Sequence, residues 1–185
     1  MKKERKKQFK IYILIGVLVV LFLCMKILLL EPASKRYESL ETAFKYHYGD
    51  DSEVMLILDG KESSYVVGDD GSMHTAITFS KGNNYWKDIT YPNKLTTYSL
   101  SNLRYDINLS KYDEDDCYVA VMVRRMDDAV VYDSCGSEYI TLPMNEESDG
   151  LYTVGFYAYI EDFDADYWIN VGDSQITLDE MRKIW

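Results

Sequence analysis

The chain has 185 residues, twenty basic and thirty-one acidic side chains, and a formal net charge of −11. Residues 1–30 alone carry +6, which leaves −17 on residues 31–185. So acidic a surface repels phosphate backbones and anionic headgroups, which excludes nucleic acid as a partner and favours cations or basic proteins.

Met1 to Lys10 holds six Lys/Arg residues against Glu4, and Ile11 to Leu30 then runs with Lys26 as its single charge. Twenty residues at about 1.5 Å rise span roughly 30 Å, the thickness of a bilayer's hydrocarbon core. The spacing predicts a transmembrane helix over 11–30, with Lys26 snorkelling to the headgroups. The basic flank places the N-terminus in the cytoplasm and the rest of the chain outside. A cleaved signal peptide is the competing reading, but Glu31-Pro32-Ala33-Ser34 does not supply the small residues that cleavage requires, and Leu23 before Cys24 does not suit a lipobox.

Beyond Pro32, Tyr37, Leu40, Phe44 and Tyr48 recur at helical spacing and Gly49 follows, predicting an amphipathic helix over 35–48. Strands are expected over 53–59, 64–67, 73–80 and 85–87, with turns at Asp59-Gly60, 68–71 and 82–84. The AFKYHYG helix end, the LDGKESSYVV hairpin and the SKGNNYWKD turn resemble a small module of membrane-anchored extracytoplasmic proteins of Gram-positive bacteria. The resemblance covers residues 36–91 and implies no particular activity.

In the second half, 118–124 and 129–133 are expected to form a hairpin about Met126-Asp127-Asp128, with Val119, Val121 and Val123 on one face. That register brings Cys117 near Cys135, so an extracytoplasmic disulfide is expected beside the alternative of two buried thiols. In the chain-entropy picture a bridge closing such a loop contributes about 3 kcal/mol.

Residues 139–142, 151–160 and 167–171 read as further strands. In 151–160, Tyr152, Val154, Phe156, Ala158 and Ile160 share one face, and Tyr157 and Tyr159 the other. The SDGLYTV run, with Tyr152, resembles the tyrosine corner of immunoglobulin-like sandwiches. Thr177-Leu178-Asp179-Glu180 reads as a capping box opening a short terminal helix.

The expected fold class is mainly β: a cytoplasmic tail (1–10), a transmembrane helix (11–30), a helix-plus-meander module (31–92) and an Ig-like antiparallel β-sandwich (93–185).

Candidate chemistry is sparse. Beyond residue 30 the chain has only His47 and His74, and neither sits in a zinc-ligand or nucleophile spacing. This points away from an enzyme; an envelope hydrolase would need one of these histidines in a pocket beside two carboxylates.

Asp162, Asp164 and Asp166 alternate as in the opening of a calcium loop, making calcium the candidate cofactor. However, Tyr167 stands where a glycine is required, and Asp173 where a glutamate is. The Asp113-Glu114-Asp115-Asp116 run reads as a solvated turn.

Sixteen of the seventeen tyrosines lie beyond residue 30, and outward Tyr157 and Tyr159 with Trp168 are the candidate platform for a sugar or protein ligand. The expectation is a non-catalytic, membrane-tethered module binding a protein or cell-wall ligand. The alternative is a subunit of a membrane assembly whose anchor helix, with Cys24 and Lys26, is itself an interface.

Overall fold

The computed structural model describes residues 15–20, 35–70, 74–89, 94–113, 116–124, 129–143 and 154–183. Most of the proposed anchor, with Cys24 and Lys26, lies outside the described residues. So do Glu114 and Asp115, the expected turn at Met126-Asp127-Asp128, Tyr152, and Trp185. Residues 15–20 are helical; among the described residues no helix is long and apolar enough to cross a membrane. The chain divides into two compact units, Met1–Lys35 and Arg36–Trp185, and the second is mainly β with antiparallel sheets.

The helix, α1 (Leu40–Tyr48), starts where the Ser39 side chain accepts a hydrogen bond from the Thr42 N–H, and it stops at Gly49 at φ +100°. It is shorter than the expected 35–48, because residues 36–37 are extended and pair in a sheet.

That sheet is formed by β1 (Arg36–Tyr37), β2 (Glu53–Asp59), β3 (Ser63–Asp69), β4 (His74–Gly82) and β5 (Tyr85–Asp88), in the order β1-β5-β4-β3-β2. The β4–β5 turn runs through Asn83 and Asn84, with Asn84 at φ 71°, a conformation asparagine tolerates better than most residues. Phe44, Ala43 and Leu40 of α1 pack on Val66 and Phe79, burying one face of the sheet. Gly68 permits this approach, since a Cβ there would strike the Phe44 ring and the Glu53 carbonyl.

A second sheet holds β6 (Leu95–Ser101), β7 (Tyr105–Tyr112), β8 (Asp116–Val123), β10 (Ile140–Pro143), β11 (Val154–Ile160) and β14 (Arg182–Lys183), ordered β10-β11-β8-β7-β6-β14. A third contains β9 (Val131–Asp133), β12 (Trp168–Val171) and β13 (Ser174–Thr177), ordered β13-β12-β9. Ile107, Leu109, Val119, Val121, Ala158 and Ile160 of the second sheet meet Ile169, Val171 and Ile176 of the third, an arrangement consistent with a β-sandwich.

The opposite face of the second sheet is also covered. Leu58, Tyr65 and Val67 of the first sheet pack on Tyr118, Ala120 and Tyr157, and the Tyr65 and Tyr118 rings stack at 5.3 Å. The layers therefore run helix, sheet, sheet, sheet.

Two expectations change. The 118–133 hairpin does not form. β8 has β7 on one edge and β11 on the other, and β9 joins the third sheet through β12. With both edges of β8 occupied, a local return strand has nowhere to pair. The terminal helix is only a 3₁₀ turn, Leu178–Glu180, cut short because Arg182–Lys183 pair with β6. Its start is as expected, the Glu180 carboxylate accepting from the Thr177 N–H (2.7 Å) and hydroxyl (3.0 Å).

Candidate binding cavity

Period-two alternation builds the site. In β7, Ile107 and Leu109 point into the sandwich core, so Asn108 and Ser110 point the other way. In a two-layer sandwich that polar face would meet water. Here the first sheet lies over it, and β5 pairs with β4 only over Phe79–Gly82. Beside the remaining half of β4 the two sheets flank a half-open cavity of about 390 Å³, within the usual size of ligand sites.

Its floor is Thr97, Asn108, Ser110, Ala120 and Met122 of the second sheet; its roof is Tyr65 and the 74–78 stretch of β4, with Tyr48, Ile89 and Leu95 at the sides. No Asp, Glu, Lys or Arg lines it among the described residues.

His74 and Tyr157 meet at one wall, with His74 Nδ1 3.3 Å from the Tyr157 hydroxyl. His74 is 7 % exposed, and its Nε2 is buried without a hydrogen-bond partner among the described residues. Burial pulls the imidazole below its ordinary pKa, against a smaller opposing effect of the Asp69 charge, so the ring is neutral at pH 7. Burial likewise pushes the Tyr157 phenol far up, keeping it protonated.

The structure disperses the residues singled out from the sequence. Tyr157, expected to face outward, is 2 % exposed under the first sheet. The Tyr159 hydroxyl donates to Asp116 Oδ1 at 3.1 Å. Trp168 lies in the third sheet, edge-on to Tyr132 at 6.0 Å. The three side chains therefore form no common platform: the face that carries both tyrosines is the one the meander covers.

Asp164 accepts from the Asp166 N–H at 2.9 Å, and Asp162 lines a separate groove with Glu138 and Glu161. Among the described residues no three His, Cys, Asp or Glu side chains are grouped to hold a metal ion. Cys117 and Cys135 are free thiols. Burial raises the pKa of both, and Cys135 Sγ donates to the Asp162 carbonyl at 3.3 Å.

His47 contacts one buried carboxylate, Asp88, at 2.9 Å, outside the cavity. Asp116, expected in a solvated turn, is fully buried. Sequence reasoning missed Thr97, Asn108 and Ser110. The signal for Asn108 and Ser110 was present in the alternation of YDINLSKY, which reads as one apolar and one polar face.

The chain matches no protein-family model, no curated protein and no solved structure.

Proposed function

We propose that the protein is a non-catalytic, membrane-tethered extracytoplasmic binding module of the cell envelope. Residues 11–30 anchor it with the N-terminus in the cytoplasm, and the β-sheets, the last two an Ig-like sandwich, hold a ligand between their layers. One observation carries the reading: a cavity of about 390 Å³ lined by no Asp, Glu, Lys or Arg among the described residues, on whose wall His74 Nε2 is buried without a hydrogen-bond partner among the described residues. A buried polar atom facing the cavity is costly unless something hydrogen-bonds it.

The test is thermal unfolding of the full chain in lipid nanodiscs, with soluble wall fragments and, separately, with an organic extract of the envelope. A ligand that binds only the folded state raises the melting temperature by mass action. The shift should disappear in Ala120→Phe, which fills the cavity floor. A shift that survives the variant would move the ligand to another surface, and no shift from either source would remove the cavity as the site. Protease treatment of intact cells checks the address, since residues 36–185 should be digested from outside.

A further inference from the structure

Resting on the cavity reading above, we infer that the ligand is uncharged: a mostly apolar ring compound with hydrogen-bonding groups along one edge. The wall chemistry carries this. Among the described residues, the ionisable side chains lining the cavity are His74 and the tyrosines Tyr48, Tyr65 and Tyr157. The imidazole is desolvated and the phenols are protonated, so the wall holds no net charge at neutral pH.

A carboxylate, phosphate or ammonium entering this space would lose its hydration and gain no counter-charge, which is prohibitive. The acidic exterior further disfavours anions on approach. A neutral ligand meets neither obstacle.

The distribution of polar atoms sets the rest of the shape. Thr97 and Ser110 are directly paired across β6 and β7, and Asn108 lies two residues along the same face. Hydroxyl and amide groups thus sit side by side on the floor, while Tyr65, Ile77, Ile89 and Leu95 supply carbon from the other sides. At about 30 Å³ per water, 390 Å³ is the space of roughly thirteen waters, enough for a compound of one or two rings.

The experiment uses the full chain in phosphatidylcholine nanodiscs and three photo-crosslinkers of one skeleton. They are benzophenone (neutral), 4-benzoylbenzoate (anionic) and 4-(aminomethyl)benzophenone (cationic), with adducts located by mass spectrometry. Mapping the adducts separates cavity labelling from probe dissolved in lipid, which would mark residues 11–30. Benzophenone should label Met122, Leu95 or Ile77. Both charged probes should label those positions at least tenfold less, although the acidic surface attracts the cation.

Ala120→Phe should lower cavity labelling at least tenfold while exposed Met55 and Leu103 are labelled as before. Ser110→Leu, a second intrusion on the same floor, replaces it if that variant does not fold. Equal labelling of the cavity by a charged probe overturns the neutral-ligand inference and leaves the cavity as a site. Absence of cavity adducts with all three probes overturns both.

Discussion

The Asp116 carboxylate, buried at the start of β8, accepts from the Lys61 N–H (2.6 Å), the Glu62 N–H (2.8 Å), the Ser63 hydroxyl (2.7 Å) and the Tyr159 hydroxyl (3.1 Å). Two of the four donors belong to the β2–β3 connection and a third, Ser63, opens β3, so this one side chain ties the first sheet to the second. With the Ser63 proton engaged, the Tyr118 hydroxyl donates to Ser63 Oγ at 2.9 Å. Asp116→Ala strands these donors and should lower unfolding free energy by about 3 kcal/mol in urea titrations.

Burial alone pushes the Asp116 carboxyl up, and the hydrogen bonds outweigh it, so its pKa lies below the ordinary range. A group with a lowered folded pKa contributes its stability above the unfolded value of about 3.9 and loses it as pH falls through the folded one. The gap between wild type and Asp116→Asn should therefore narrow below about pH 4.

His74 acts at milder pH. The unfolded chain takes up the proton first, below about pH 6.5, while the buried ring resists it. Stability should be complete above that pH and decline as pH drops toward the folded value. His74→Gln should lose this component, so urea titrations at pH 7.5 and 5.5 should differ less for the variant than for wild type.

At the scale of elements, β7 shows both what alternation reveals and what it leaves open. Ile107→Ala removes carbon from the sandwich core and should cost about 3 kcal/mol. Asn108→Ala, one residue away, faces the cavity and should change stability by no more than about 1 kcal/mol. Chemical denaturation of the two variants checks the assignment of faces.

The meander strands were legible because β-branched and aromatic runs there are punctuated by Asp59-Gly60 and Gly82-Asn83-Asn84, and sequential antiparallel strands pair locally. The β8 partners were not legible. The local partner, 129–133, looks as suitable in composition as the distant β11. What decides is which edges and faces are already covered, and that depends on residues 105–112 and 154–160 together. The same reason hid the site: alternation in 154–160 assigned Phe156, Ala158 and Ile160 to the core face, but nothing local to Tyr157 says that a second sheet lies over it.

For the whole second unit, the shared layer of Tyr65, Val67, Tyr118, Ala120 and Tyr157 joins the meander to the sandwich. Calorimetry of the full chain should show one unfolding transition for residues 36–185. Tyr118→Ala, which loses the Tyr65 stack and the Ser63 hydrogen bond, should lower it as one event; two separated transitions would show that the layers fold independently. Sequence alone determined the features that depend on neighbours along the chain: the acidic balance, the apolar run of 11–30 and its basic flank, most strand positions, the helix stop at Gly49 and the cap at Thr177, and the core faces of 118–124 and 154–160. Only tertiary structure decided which strands share a sheet, that Asp116 is a buried tie, and that a polar strand face becomes the floor of a cavity. Those outcomes arise from surfaces distant in sequence meeting and excluding water, and the strength of such contacts is set by the fit of both partners.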